Sequence, residues 1–253
     1  MPRSLDRTPA VSVATHGLDP LACRTCAIRH RGLCEVLTPV EIDALNRIAQ
    51  RRKLRPGEVF LVEGEDAVSF ANITSGVAKL VRSMEDGREQ IVGLLFPADF
   101  MGRVFQKGDV TAPMPYTVQA ASELSLCAFP SGPFEAILSE HPKLEHKLLE
   151  RTLSELDAAR DWMLLLGRKT APERVATFLH HIAARYAEAG GDPTQGFDLP
   201  LTRADMADFI GLTIETVSRQ ITKLRKDGVI VLAGSRRIDS VDMERLAARA
   251  GLR

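Results

Sequence analysis

The sequence predicts an α+β chain in three parts: an antiparallel β-roll, one long helix, and a compact helical domain closed by a small β-ribbon. Three observations carry that reading. Residues 54–130 are short β-branched runs punctuated by glycine, residues 142–168 repeat apolar side chains at helical spacing, and residues 202–230 set two capped helices about a glycine. The chain has 253 residues and is 45% apolar, enough to bury a full core and to divide into two domains. Lysine plus arginine number 33 and aspartate plus glutamate number 33, so net charge alone names no partner. No run approaches the ~20 apolar residues of a membrane span, and residues 1–20 lack the continuous apolar stretch of an export signal. A cytoplasmic protein with no membrane partner is expected.

Residues 1–22 read as a flexible leader, and residues 23–140 as a cysteine-bearing segment followed by the β-roll. Within that block, residues 38–53 predict a short helix. Thr38 can cap it, Pro39 suits its first position, Glu41 completes a capping-box spacing, and Ile42, Leu45 and Ile48 line one face. The strands follow, and Asp86-Gly87 between apolar runs is a hairpin signal. Residues 141–168 form the long helix, with Leu149, Leu153, Leu156 and Met163 along one side and Ala159 and Leu166 close to it. The other positions carry Glu150, Arg151, Glu155, Asp157, Arg160 and Asp161. An apolar stripe usually means core, but a stripe flanked by charge on a helix that links two domains predicts pairing with its copy in a homodimer. The acidic members (Glu150, Glu155, Asp157 and Asp161) are expected to repel their copies and keep that dimer marginal. The last domain, residues 169–253, opens on a second capping-box spacing at Thr170 and Glu173.

Residues 202–230 are the most informative stretch. Thr202 and Asp205 open a short helix that ends near Gly211, and Thr213 caps a second helix running to Lys226 and stopping at Asp227-Gly228. Ile214, Val217, Ile221 and Leu224 make one face of that second helix, while Glu215, Ser218, Arg219 and Thr222 make another. The pattern is a helix-turn-helix, and residues 229–239 read as two short strands around a basic turn, a wing. Residues 213–237 hold Arg219, Lys223, Arg225, Lys226, Arg236 and Arg237 against Glu215 and Asp227, a local surplus of positive charge inside a neutral chain. Phosphate contacts require such a surplus. An arginine fork can read guanine, a carboxylate can accept from cytosine, and serine can reach a base edge or a phosphate. A helical hairpin with a merely solvated face accounts for one helix pair, but not for two caps, a glycine turn and a basic wing together. Double-stranded DNA is the expected partner.

Three of the four cysteines, Cys23, Cys26 and Cys34, lie in C-x2-C-x7-C spacing, and Cys127 sits far downstream near the end of the β block. Four cysteines are too few for a disulfide scaffold of this length, and clustered thiols in a reducing compartment bind metal or do redox chemistry. A structural zinc site, an iron–sulfur centre and a redox dithiol all remain open on spacing alone. Covalent haem attachment is excluded, because Ala27 rather than histidine follows Cys26. A thioredoxin-like enzyme would need a βαβ setting that does not follow. His16, His30, His180 and His181 read as surface or helix histidines without a site role.

A β-roll, a long helix and a winged helix-turn-helix bearing Glu215-x-x-Ser218-Arg219 resemble the cAMP-receptor/Fnr superfamily of bacterial transcription regulators over nearly the whole chain after about residue 20. The resemblance implies that Glu215, Ser218 and Arg219 read a TTGAT-type half-site. Cyclic-nucleotide-binding members hold the ligand phosphate with Gly-Glu and a downstream Arg-Ser or Arg-Thr. This chain has Gly102-Arg103 and, from Ala112 to Thr117, no arginine, so no cyclic nucleotide is expected. The cysteines resemble the oxygen-responsive Fnr branch instead, which implies a [4Fe-4S] cluster held by Cys23, Cys26, Cys34 and Cys127, with Arg24, Arg29 and Arg31 available to offset its charge. The longer second gap departs from some members of that branch and matches others. The implied function is an oxygen-sensing regulator, not an enzyme. It would bind palindromic DNA as a homodimer in anaerobic cells while the cluster is intact, and act on RNA polymerase. A nitric-oxide or redox sensor of the same superfamily and a structural zinc protein with four cysteine ligands that binds DNA are the alternatives.

Overall fold

The computed structural model describes residue 23, residues 25–103 and residues 113–252. The expected leader, His16, Arg24 and Ala112 lie outside the described residues.

The helix expected from residue 38 forms as α1 (Pro39–Ile48), with Thr38 and Glu41 making the reciprocal capping box. It is shorter than the sequence suggests. Residues 50–54 are already the strand β1 (Gln50–Leu54), whose residues alternate half-buried and exposed. The β-roll continues with β2 (Val59–Leu61), β3 (Ser69–Ser75), β4 (Ala78–Ser83), β5 (Glu89–Leu95), β6 (Phe100–Met101), β7 (Thr117–Ala120) and β8 (Leu124–Pro130). They form two antiparallel four-stranded sheets, in the orders β1-β8-β3-β6 and β2-β7-β4-β5. The Asp86-Gly87 turn joins β4 to β5, where Gly87 takes φ 83° and Asp86 Oδ1 accepts from the Arg88 amide.

β3 and β8 are covered on both faces, and their alternate residues belong to two different cores. Ala71, Ile73, Leu124, Leu126 and Ala128 face the inside of the roll. Phe70, Phe129 and Cys127 face outward, onto α1 and onto α2 (Ser131–Glu140). This outer core also takes Leu33 and Leu37 from the cysteine segment and Leu144 and Leu148 from the long helix α3 (Pro142–Arg168). Phe70, Phe100, Phe129 and Phe134 pack there with ring centroids 5.1 to 5.8 Å apart.

Only Leu144, Leu148 and Leu165 of α3 are fully buried. Leu149, Leu153, Leu156, Met163, Leu164 and Leu166 remain 37% to 73% exposed in the single chain. Among the described residues nothing covers that stripe, as a helix that pairs with a second copy requires. Two of its acidic flankers are internally compensated: Glu150 lies 3.5 Å from Lys147 and Asp157 lies 2.8 Å from Arg160.

The C-terminal domain is α4 (Ala171–Glu188), β9 (Phe197–Asp198), α5 (Arg203–Ile210), α6 (Ile214–Lys226), β10 (Ile230–Ala233), β11 (Arg237–Val241) and α7 (Met243–Ala250). Phe178, Leu179, Phe209, Val217, Ile221 and Leu246 are its core. It docks on the roll through a shared apolar cluster that takes in Val77, Val81, Ile91 and Phe96, and through polar contacts. Lys79 of β4 pairs with Asp205 of α5, the Gln90 side-chain amide donates to the Asp208 carbonyl, and Arg185 of α4 meets Asp99 at 2.6 Å. No described helix is long and apolar enough to cross a membrane.

Candidate functional site

α5 and α6 meet at a turn that only a left-handed residue closes easily. Gly211, the C-cap of α5, takes φ 63° and ψ 48°. Thr202 and Asp205 form a complete capping box on α5, and Thr213 caps α6 by accepting from the Thr216 amide. Val217, Ile221 and Leu224 bury the inner face of α6, so the outer face is fixed in direction. Ile214, expected on the buried face, is 47% exposed, because it sits at the first helical position, ahead of the domain core.

Glu215 and Arg219 are exposed and Ser218 is half-buried on this free face. The Arg219 guanidinium donates to Thr216 Oγ1 at 3.1 Å, which holds the fork close to the helix. Hydrogen bonding to its own backbone amide and to Thr213 lowers the Glu215 pKa, with Arg219 contributing, so that carboxylate is ionised at neutral pH. The wing is β10 and β11, paired from Ile230↔Val241 to Ala233↔Arg237. Arg236 and Arg237 stand exposed on it, but Arg237 lies 3.6 Å from Asp198 and 3.6 Å from Asp239, which trims the surplus counted from residues 213–237.

One residue that sequence reasoning passed over is Arg174. Its guanidinium donates to the carbonyls of Leu166, Lys169, Ile210 and Gly211, joining the end of α3 to the turn between α5 and α6. Helix C-termini leave carbonyls without intrahelical partners, and Arg174 serves two such ends at once. Its place in the first turn of α4, beside a helix boundary, was the only signal in the sequence.

The thiols are assembled from three elements. Cys23, Cys26 and Cys34 lie on the N-terminal segment, with Cys34 inside a 3-10 turn (Leu33–Val36), and Cys127 lies in mid-β8. Arg29 clamps the intervening loop by donating to the Cys34 carbonyl and, at 3.2 Å, to the Leu37 carbonyl. Arg31 turns away and donates to the Glu188 carbonyl at 2.6 Å, while Arg151 of α3 donates to the Arg31 carbonyl. Lys147 of α3 reaches Glu35 at 3.4 Å. Of the arginines expected to offset charge, Arg29 opposes it at Cys34 and, behind Arg51, at Cys23; at Cys127 the opposing cation is Arg51, which is paired directly across from it in β1.

Burial pushes the Cys34 thiol up to about 12, with the Cys23 and Cys26 charges adding to the rise. Cys127 is raised further by burial, then by Cys34, Cys23 and Cys26, and Cys23 is raised by burial and by Cys26. Cys34 and Cys127 are therefore raised by neighbouring sulfurs as well as by burial, and several bare thiolates at once are disfavoured without a positive centre among them. Liganding distance is a stricter condition. Among the described residues no three His, Cys, Asp or Glu side chains lie close enough to hold a metal ion. The donor set nonetheless has the chemistry of a soft-metal or iron–sulfur site: Cys23, Cys34 and Cys127 border one apolar cluster on the outer face of the β-roll, and Cys26 lies between the first two in the chain. Beside them the buried Asn72 Oδ1 has no hydrogen-bond partner among the described residues.

Where the Gly-Glu of a phosphate cradle would fall, Arg103 donates to the Pro113 carbonyl at 2.9 Å. A Cβ on Gly102 would stand 2.4 Å from the Phe70 ring, so that glycine answers to aromatic packing.

The capped helix pair, the free polar face and the basic wing define a DNA-binding transcription regulator. Residues 173–249 match the Crp-like helix-turn-helix domain and residues 51–141 match the cyclic nucleotide-binding domain. The transcriptional activator protein FnrL of Cereibacter sphaeroides is 46% identical over 234 residues, covering 90% of this chain and 92% of the relative. A probable transcriptional activator of Rhizobium leguminosarum is 45% identical over 227 residues, covering 90% and 92%. Among solved structures, FixK2 from Bradyrhizobium japonicum superposes with a TM-score of 0.70 at 31% identity, covering 79% of this chain and 96% of that one. The chain belongs to the Fnr branch of the Crp/Fnr superfamily, whose members here are activators rather than enzymes. Family and fold together imply DNA binding and dimerisation.

Proposed function

We propose that this chain is an oxygen-responsive activator that works in the cytoplasm. As a homodimer it binds palindromic TTGAT-type DNA while Cys23, Cys26, Cys34 and Cys127 hold a [4Fe-4S] cluster, and it acts there on RNA polymerase. Such a cluster, when bound, supplies an oxidant-labile cross-link among four thiolates.

The observation that carries the reading is a shared core. Cys23, Cys34 and Cys127 pack against the same apolar cluster that buries Leu144 and Leu148, the anchored end of α3. The free stripe on the rest of α3 is the dimer surface. Arg151 and Lys147 tie the cysteine segment to α3 by polar contacts as well. Loosening that segment removes packing from the base of α3 and weakens the helix pair. Two recognition helices must enter major grooves about one turn apart, so a monomer loses half the base contacts. Arg174 carries the alignment from α3 to the reading head. On α6, Arg219 reads guanine with its fork, Glu215 accepts from a cytosine amino group, and Ser218 reaches a base edge or phosphate.

The test is an anaerobic mobility-shift assay on a TTGAT palindrome, repeated after air exposure. Binding lost in air and recovered on anaerobic reconstitution with iron and sulfide is expected. Equal binding before and after air overturns the proposal, and zinc without sulfide in the purified protein overturns the metal assignment.

A further inference from the structure

One row of side chains crosses the outer sheet at Cys127. Arg51 of β1 pairs with Cys127 of β8, Cys127 pairs with Asn72 of β3, and Asn72 pairs with Phe100 of β6. Directly opposed residues in antiparallel strands point to the same face, with Cβ atoms roughly 4.5–5.5 Å apart. That face is the outer one, since Cys127, Phe100 and the flanking Phe70 and Phe129 all belong to the outer core. Asn72 thus sits beside the one thiol contributed by the roll, on the side opposite the cation Arg51.

Asn72 is also out of place. It is 1% exposed on a face whose other buried side chains are Phe70, Phe100 and Phe129, and its Oδ1 finds no donor among the described residues. A buried amide acceptor without a partner is a net loss for the fold, and an apolar residue of the same shape would remove it. Asn46, the second buried polar side chain, flanks the same set from α1 and accepts from Cys23 Sγ at 3.2 Å. Among the described residues, the two buried side-chain amides therefore border the cysteines.

We propose that Asn72 is a positioning residue for the sulfur site, donating a side-chain N–H to Cys127 sulfur, or to an inorganic sulfide beside it, when that sulfur is bound as thiolate. Turning the amide over exchanges Oδ1 for Nδ2 at constant volume, so the orphaned position becomes a donor without repacking. Thiolate and sulfide accept, where a neutral thiol mainly donates. The inference rests on the four-cysteine reading above and adds a tuning group to it: donors to cluster sulfurs favour the more reduced, more negative state and raise the reduction potential.

The experiment compares wild type with Asn72→Leu and Asn72→Asp, reconstituted anaerobically with iron and sulfide. Readouts are the midpoint potential, iron retention against a chelator, cluster lifetime in air, and the melting temperature of the metal-free protein. Both variants are expected to have a lower potential and a shorter lifetime in air, with roughly ten- to a hundredfold weaker iron retention. Metal-free Asn72→Leu should melt at or above the wild-type temperature, since the unpartnered acceptor is gone. An Asn72→Leu protein with wild-type potential, iron retention and air lifetime overturns the inference. So does one whose only defect is a lower metal-free melting temperature, which marks a purely structural role. Wild-type protein that takes up no iron overturns the four-cysteine reading itself, and this inference with it.

Discussion

The reading head and the thiol site are built on opposite plans. In the head, local groups satisfy one another within a few residues: Thr202 with Asp205, Thr213 with Thr216, and Gly211 at the turn, over a core in which Val217 and Ile210 are 0% exposed. The thiol site draws on Cys23, Cys26 and Cys34 near the N-terminus and Cys127 in β8. Two of its thiols are raised far above their ordinary pKa by burial and mutual repulsion, and a neighbouring amide oxygen has no partner among the described residues. The first region is complete without a ligand. The second, on the function proposed above, is completed by the cluster, which would contribute to stability by mass action so that its loss is felt in the packing. The proposed sensing needs that inequality, because a site fully stable without its cluster could report nothing to α3.

Breaking the contrast at its strongest point means removing one sulfur. Cys127→Ser should abolish cluster formation as completely as Cys26→Ser, measured as iron and acid-labile sulfide per chain, while each variant keeps its helical circular dichroism. Retained cluster in Cys127→Ser removes that residue from the ligand set. Next in size is the free stripe of α3. Leu153→Asp would bury an uncompensated charge at the helix pair and should cost at least ~2 kcal/mol of dimer, more than tenfold in dissociation constant. Sedimentation in the anaerobic state reads the change, and a wild-type dimer constant would place the dimer surface elsewhere.

These two regions were also unequally legible from sequence. Caps, glycine turn and basic wing are neighbours in the chain, so short-range physics specified α5, α6 and both wing strands. Strand pairing is not local: nothing near Cys127 announces that Arg51 and Asn72 will lie on either side of it. The helix expected over residues 38–53 stopped at Ile48 because β1 pairs with β8, a tertiary gain that overrides the helix propensity of residues 50–53. His181 is an ordinary helix histidine by sequence, yet it packs between Phe96 and Trp162 at centroid distances of 5.6 and 5.5 Å. Arg174 is not legible locally, since its four acceptors come from two separate helix ends.

Within the head, Arg219→Ala should cost about 1–3 kcal/mol of discrimination at one base position. A uniform loss across all sequences would limit Arg219 to phosphate contact. The smallest expected effect concerns the joint between the two regions. Burial, reinforced by Arg185 and opposed by Asp99, holds His181 down to about 4 from its ordinary 6.5. The fold therefore favours the neutral ring. Its stability is whole above pH 6.5 and declines as pH falls from there toward about 4, because the unfolded chain takes up the proton first. Thermal melts of His181→Phe should show a flatter decline across that window than wild type; parallel curves would assign the acid sensitivity to other groups.

The central claim, that sulfur chemistry at Cys127 and its three partners governs pairing of α3, is tested most directly by sedimentation equilibrium on one anaerobic sample before and after air, with iron absorbance followed in the same cell. The account predicts a coloured dimer with about four iron per chain that bleaches and dissociates together. A colourless dimer, or a coloured one that bleaches and stays dimeric, contradicts it.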